Sequence, residues 1–183
     1  MRTIRLEALG AAAALLLSSV PLTAQSTPSA PALDDGTIVA IFDAANTADI
    51  ETGTLAAEKG TTQAVRDYGA MLARDHAAVR RMGRDLAARL GVTPTPPADG
   101  SSAKAHAAAM KALRAASGAD FDRAFLRHEI AFHQAVMDAL EASVIPAIEN
   151  PELRALVVKV APAFEAHRQA AIQIEAGLDE AAH

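Results

Sequence analysis

Three histidines and one aspartate occupy the inward faces of four different predicted helices. His76, His133 and His167 each lie in or at the margin of an apolar stripe, and Asp49 lies inside the stripe of the first helix. Imidazole nitrogens and carboxylate oxygens are ligands for Zn²⁺, Cu²⁺ and Ni²⁺. Helical bundles build metal sites when several helices direct such residues at a shared core. The sequence therefore predicts a buried metal site with these four ligands.

Two further carboxylates could complete this site. At about 100° per residue, Glu129 and His133 both point to the centre of the apolar arc of their helix. Asp75 lies nearer the middle of its stripe than its neighbour His76. A buried carboxylate is costly unless it is paired or coordinated. Asp75 and Glu129 are therefore predicted as additional ligands or as partners of the ligating histidines.

The same residues allow other interpretations. One is a metal-free structural or interaction bundle, in which buried Asp, Glu and His side chains form a hydrogen-bond network. Another is an oxidoreductase that uses a bound metal. Ferritin-type iron oxidation is disfavoured, because Ala73 and Phe164 stand where two Glu-x-x-His motifs would need glutamate. We predict a non-catalytic metal-binding protein and favour zinc or copper over iron.

Helical periodicity and capping residues predict an all-α chain. Gly60 and Gly91 are predicted C-caps, and Asn150 is a predicted N-cap. The long connection over 91–119 can carry the chain from one end of a bundle to the other. Two antiparallel helix pairs joined by such a crossover form a ferritin-like four-helix bundle, predicted for 37–179. The predicted helices span about 37–59, 63–90, 102–116 (short), 120–144 and 151–178.

The first 24 residues have the pattern of a secretory signal peptide. Arg2 and Arg5 precede an apolar stretch from Ala8 to Val20, and small residues near Ala24 offer a cleavage point. This stretch is shorter than the roughly 20 residues that span a bilayer. Residues 25–36 are predicted to form a flexible leader. We therefore expect an exported, periplasmic protein without a membrane span.

The composition narrows the classes of partner. The 183 residues include 17 Lys and Arg against 22 Asp and Glu, a formal net charge of −5, with no Trp and one Tyr. This balance argues against a nucleic-acid partner. The chain has no cysteine, which excludes thiolate ligands and a lipid-modified cysteine. No Gly-rich phosphate loop is present, so no nucleotide or flavin is indicated. A metal ion is the partner that the residues predict.

Five short stretches together form a recognisable pattern. They are residues 42–56 (FDAANTADIETGTLA), 74–76 (RDH), 121–125 (FDRAF) leading to His133, 150–154 (NPELR) and 161–167 (APAFEAH). On these stretches the chain resembles the bacterial family called domain of unknown function 4142. The resemblance covers nearly all of residues 38–178.

This resemblance implies an exported ferritin-like bundle whose biochemical role is not established. Family members are often labelled outer-membrane proteins, which for a chain without a spanning helix implies at most a peripheral association. Many members carry Asp directly before the third-helix histidine, where this chain has Phe132, and Glu129 could supply that carboxylate. Five residues match the acidic and histidine positions of the family: Asp49 (commonly Glu in members), Asp75, His76, His133 and His167.

Overall fold

The computed structural model describes residues 33–180, and all regular secondary structure in that range is helical. After the helix Gly118–Ala139, the chain continues through a π-helical turn, Leu140–Val144, and one α-helical turn, Ile145–Ala147. The all-α prediction is thus confirmed. None of the helices in this range is long and apolar enough to cross a bilayer. The helices are α1 (Asp35–Lys59), α2 (Gln63–Leu90), α3 (Ser101–Ala115), α4 (Gly118–Ala139) and α5 (Pro151–Glu180).

Side-chain caps set the starts of three of the five helices. Asp34, Thr62 and Asn150 cap α1, α2 and α5 by accepting hydrogen bonds from first-turn N–H groups at 2.7–3.3 Å. Gly91 ends α2 with a φ of +67°, in the left-handed region that favours glycine. The predicted caps at Asn150 and Gly91 are therefore present.

Two helices begin two residues before their predicted starts at about 37 and 120. Residues 25–36 were predicted to be a flexible leader, but Asp35 and Gly36 belong to α1 and Leu33 packs against an apolar cluster. The Asp34 cap starts this helix earlier than the apolar periodicity indicates. The helix predicted for 120–144 begins at Gly118 and changes to a π-helical turn after Ala139. The remaining leader and the predicted signal peptide lie outside residues 33–180.

Glycines allow α1 and α2 to approach each other closely. A Cβ atom on Gly53 would lie 2.6 Å from the carbonyl oxygen of Gly69, and one on Gly69 would lie 2.6 Å from that of Gly53. Farther along, a Cβ on Gly83 would lie 2.7 Å from the ring of Phe42. Because these contacts run in opposite directions along the two helices, α1 and α2 are antiparallel. Backbone therefore meets backbone at the centre of this interface.

The fifth helix is antiparallel to both α4 and α2. Since α4 and α2 consequently run in the same direction, the connection between them must cross the length of the bundle, as in ferritin-like folds. The contacts that fix these directions are Arg123 with Asp179 and Arg127 with Glu175 for α4, and Arg89 with Glu152 and Tyr68 with His167 for α2.

The crossover lies along α1. At its beginning, Thr95 N donates to the carbonyl of Gly36 at 3.0 Å. Midway, His106 Nε2 on α3 lies 2.8 Å from Glu51 Oε2 on α1. At the end of α3, Lys59 Nζ donates to a last-turn carbonyl at 2.6 Å. The predicted crossover therefore runs the length of α1.

Apolar clusters fill both ends of the bundle, with a polar layer between them. One cluster includes Leu72, Phe121 and Phe125, and the other includes Ile38 and Leu153. On α1, α2 and α5, buried polar residues come between the members of the two clusters, and on α4 they lie between the first cluster and the π-helical turn. The residues of this polar layer are Asn46, Asp49, Thr52, His76, Glu129, His133 and His167.

Two aspartates fasten loops to distant helices. The buried carboxylate of Asp122 accepts hydrogen bonds from the N–H groups of Thr61 and Thr62, at 2.8 and 3.0 Å. Asp35, at the start of α1, accepts from the N–H groups of Glu149 and Asn150, at 3.0 and 2.9 Å. The second contact ties the first helix to the loop that leads into the last.

Candidate metal centre

The three predicted histidines meet in the polar layer, each from a different helix. His76 on α2, His133 on α4 and His167 on α5 are all buried, and their ring centroids are 5.0–5.7 Å apart. One ring nitrogen of each lies within 4.8 Å of the others. Phe164 packs against the rings of His76 and His133. The histidines thus form a compact, buried cluster.

Hydrogen bonds fix the tautomers of two of these rings. His133 Nδ1 donates to the carbonyl of Glu129 at 2.9 Å. His76 Nδ1 donates to Asn46 Oδ1 at 3.0 Å, and the amide of Asn46 is oriented by its own donation to the carbonyl of Phe42 at 2.8 Å. A neutral imidazole carries one proton. Both rings therefore keep their proton on Nδ1 and leave the lone pair on Nε2 for another partner.

The third ring is held from its opposite side. His167 Nε2 lies 3.5 Å from Asp75 Oδ2, which attracts the ring proton to that nitrogen. Tyr68 also donates its hydroxyl to the backbone carbonyl of His167 at 3.0 Å. His167 Nδ1 is then left 3.2 Å from His76 Nε2. Two lone pairs this close repel each other unless a cation or a proton lies beside them.

Two carboxyl groups adjoin the histidines without satisfying partners. Among the described residues, no oxygen of Asp49 or Glu129 has a hydrogen-bond partner, and neither has His133 Nε2. Asp49 Oδ2 lies 3.3 Å from His76 Nδ1, but the proton of that nitrogen is already donated to Asn46. Asp49, Glu129 and His133 also offer ligand atoms within 4.8 Å of one another. Buried polar atoms without partners are costly, so a cation or a shared proton would stabilise this group.

Burial changes the charge states of this cluster. It lowers the pKa of His76 to about 3 and that of His133 to about 4, with the other histidines contributing. Burial raises the pKa of Glu129 to about 7, although nearby Thr52 and Asp49 oppose the rise. Burial and the charge of Glu129 hold the pKa of Asp49 well above its usual range. Near neutral pH His76 and His133 are therefore neutral, and burial disfavours a full negative charge on both carboxyl groups.

This donor set suits a divalent transition metal. Neutral imidazoles are ready to coordinate, since no proton has to leave them first. Metal-binding histidines typically donate their other N–H to a carboxylate or carbonyl, as His133 and His167 are placed to do here. Three nitrogens with a carboxylate oxygen match zinc in tetrahedral geometry and are also favourable for copper. The residues present therefore fit a bound metal ion.

Comparison with known proteins identifies the family. The sequence model of the family described as "Domain of unknown function (DUF4142)" matches residues 20–174. The chain belongs to the DUF4142 family. The resemblance predicted from its motifs is thus confirmed. No curated protein matches this DUF4142 chain.

The DUF4142 chain also has a structural relative. This chain is similar to the solved structure described as "CopM in the Cu(II)-bound form", with a TM-score of 0.62 and 17% sequence identity. The similarity covers 79% of this chain and 98% of that one. At this identity the likeness shows a common helical fold.

Of the predicted ligands, this DUF4142 chain brings five together and places one at the margin. Asp49, His76, Glu129, His133 and His167 are buried in the polar layer, and their role as ligands stays a prediction. Asp75 was predicted nearer the centre of the α2 stripe than His76, and this order was wrong. The side chain of Asp75 is 37% exposed and that of His76 is 2% exposed. Asp75 therefore lies behind the ring of His167, on the solvent side.

Two positioning residues escaped the sequence analysis. Asn46, which orients His76, lies three residues before Asp49 and is fully buried. A second polar residue at that spacing within an apolar stripe is a signal that could have identified it. Tyr68, the single tyrosine of the chain, is the second of these residues. The hydrogen bond from its hydroxyl to α5 cannot be predicted from the spacing of apolar residues.

Proposed function

We propose that this DUF4142 chain binds a divalent metal ion, copper or zinc, through His76, His133 and His167. Asp49 and Glu129 would complete the coordination or balance its charge. The observation that carries this proposal is the convergence of three buried ring nitrogens whose opposite nitrogens each face a protein acceptor. A hydrogen-bond network alone would leave the carboxyl oxygens beside them without partners.

The choice of metal follows from the donors. Imidazole nitrogens are intermediate ligands that suit zinc and copper, whereas sites for harder ions are dominated by oxygen. Ferritin-type iron chemistry would require more carboxylates than the site contains. The fold shared with a protein described in a Cu(II)-bound form supports copper as a candidate.

A binding role without catalysis suits the enclosure of the site. His76, His133 and His167 are 2%, 0% and 7% exposed, so a large substrate could not reach a metal held between them. The signal-peptide pattern of residues 1–24 supports export to the periplasm. We therefore propose a role in metal handling or in the response of the cell envelope to stress.

The test is metal binding by the untagged mature protein and by four single variants. Elemental analysis and chelator-competition titrations with Cu²⁺ and Zn²⁺ should give one equivalent per chain. His76→Ala, His133→Ala and His167→Ala should each weaken binding by more than about tenfold, since loss of even an outer partner of a ligand costs that much. His106→Ala is the matched control, because His106 lies on α3 and pairs with Glu51 of α1, outside the histidine cluster. It should bind like the parent.

Two outcomes would overturn this proposal. One is a parent protein that contains far less than one equivalent of metal and whose melting is unchanged by added Cu²⁺ or Zn²⁺. The other is binding that survives all three histidine substitutions. The first result would favour the metal-free structural or interaction bundle, held by its buried hydrogen bonds.

A further inference from the structure

A small apolar cavity lies between α1, α4 and α5, beside the histidine cluster. Its volume is about 70 Å³, and its wall exposes only apolar atoms. Asn46 is its one amide-bearing lining residue, and that amide is already committed to Phe42 and His76. The other walls come from α1, α4, its π-helical turn and α5, and include Ile38, Ala45, Val157 and Val160.

The inner end of this cavity is formed by residues that contact the proposed ligands. Asn46 accepts the hydrogen bond from His76 Nδ1 at 3.0 Å. Phe164 packs against both His76 and His133, with ring centroids 5.5 and 6.0 Å apart. A molecule in the cavity would therefore be one side chain away from the ring nitrogens.

The outer end coincides with irregular turns in two neighbouring helices. Leu140, the first residue of the π-helical turn, lines both the cavity and an open surface groove. Across this groove, Pro162 lies inside α5 and supplies no N–H to the carbonyl of Val158. π-Helical turns are frequent at functional sites. The groove and the cavity thus share a wall residue at the irregular turn.

We propose that this cavity binds a small apolar molecule of the size of dioxygen. Water would find no partners there, because it needs two to four polar contacts. An apolar cavity of about 150 Å³ stays dry and takes up benzene or xenon, so a cavity of about 70 Å³ suits a diatomic molecule. The position of this molecule beside a metal rests on the proposed function. Its binding to the cavity does not.

Dioxygen itself is the probe, because it is paramagnetic and accelerates the relaxation of nearby methyl protons. The experiment uses metal-free protein with labelled methyl groups, under nitrogen and under dioxygen. Methyl groups of Ile38, Val157 and Val160 should show a several-fold larger effect than those of Leu72 and Leu126. All five residues are buried, but the last two belong to the other end of the bundle.

Filling the cavity gives the decisive comparison. Ala45→Leu places three extra heavy atoms at the cavity wall and should remove the enhanced relaxation. Ala44→Leu makes the same change at the neighbouring exposed position and should retain it. Ala139→Leu fills the cavity from α4 and replaces the first variant if that one does not fold. Equal relaxation in the parent and a folded, filled variant would overturn the proposal.

The metal-binding proposal and the cavity proposal can be overturned independently. Repeating the relaxation measurement after loading with diamagnetic Zn²⁺ should preserve the effect at Val157 and Val160. A protein that shows the effect but binds no metal would overturn the proposed function alone. A protein that binds metal at the histidines but shows no enhancement would overturn the cavity proposal alone.

Discussion

At the scale of single residues, the orientation of His76 depends on a neighbour that would not itself touch a metal. Asn46 accepts the Nδ1 proton of His76 and is held in place by its own donation to Phe42. This pair of hydrogen bonds keeps the Nε2 lone pair directed at His167. The amide therefore sets both the tautomer and the rotation of the ring.

Removing this amide should weaken the metal site without removing a ligand. We expect Asn46→Ala to lower the affinity for Cu²⁺ or Zn²⁺ about 10–100-fold, as loss of an outer partner usually does. Thr47→Ala is the control, because Thr47 pairs with Arg80 away from the cluster. Competition titrations measure both variants. Unchanged affinity in a folded Asn46→Ala protein would mean that packing alone orients His76.

The buried acids and bases respond to pH in opposite ways. The folded-state pKa values of His76 and His133, about 3 and 4, lie below the ordinary value of 6.5. The unfolded chain therefore takes up these protons first, and stability falls as pH decreases below 6.5. Glu129 has the opposite effect on the pH dependence of stability, because burial raises its pKa from 4.5 to about 7. The contribution of protonated Glu129 to the free energy of unfolding is fully present below pH 4.5 and is lost as pH rises through 7.

Substituting Glu129 should separate these two effects. We expect the metal-free Glu129→Gln variant to exceed the parent in unfolding free energy by on the order of 2 kcal/mol at pH 8. The difference should disappear by pH 4.5, and the variant should lose stability more steeply on acidification. Urea denaturation in the presence of a chelator measures this, with exposed Glu58→Gln as control. A loss of stability that is equal at every pH would contradict the explanation.

At the scale of the helices, the α1–α2 interface depends on glycine. The glycines on α2 that face α1, Gly69 and Gly83, lie seven residues before and after His76. Seven residues are close to two helical turns, so the three share one face. The close approach of α1 therefore covers His76 and leaves Asp75, about 100° away, half exposed.

Adding a methyl group at this interface should be costly. Gly53→Ala and Gly69→Ala would each bring Cβ within 2.6 Å of a backbone carbonyl oxygen. We expect each to lower the unfolding free energy by about 1–3 kcal/mol, the usual cost of overpacking. Gly177→Ala, near the end of α5 with nothing within 4 Å, should instead gain about 0.5–1 kcal/mol. Thermal and urea unfolding followed by circular dichroism compare the three, and similar stabilities would exclude tight packing at Gly53.

Sequence reasoning predicted the helices better than their rotation. Apolar periodicity and caps predicted four long helices and the crossover. Burial of one helix face and capping of its ends both require particular residue types at short spacings, so they can be read from local sequence. The predicted order of burial of Asp75 and His76 was wrong, because the side of α2 that faces α1 carries glycines. A projection of apolar side chains does not count glycine. The π-helical turn at Leu140 was missed as well, since one extra residue in a turn has no periodic signature.

At the scale of the whole molecule, the polar layer lies between two independent apolar clusters. Neither cluster includes a proposed ligand, and both bury large side chains such as Phe121 and Ile38. The hydrophobic effect scales with the apolar area that is buried. The bundle should therefore fold without metal, and a bound ion should add to its stability.

Metal removal tests this arrangement. We expect full helicity by circular dichroism in the presence of a chelator. At free metal concentrations 100 times Kd, the unfolding free energy should rise by about 2.7 kcal/mol. His133→Ala should keep the helicity and lose the gain. A chain that unfolds when metal is stripped would show that the two clusters are insufficient.

The contact between Asp35 and the backbone before α5 has a consequence for the order of assembly. The α1–α2 hairpin is local in sequence and can form before the later helices are available to pack on it. Its apolar face stays uncovered until α4 and α5 emerge, and Asp35 cannot close the loop before Asn150 has been made. Chains that stop short of α5 should therefore be prone to aggregation and proteolysis. The histidine cluster, which takes its last member from α5, is completed only in a chain that has passed this point.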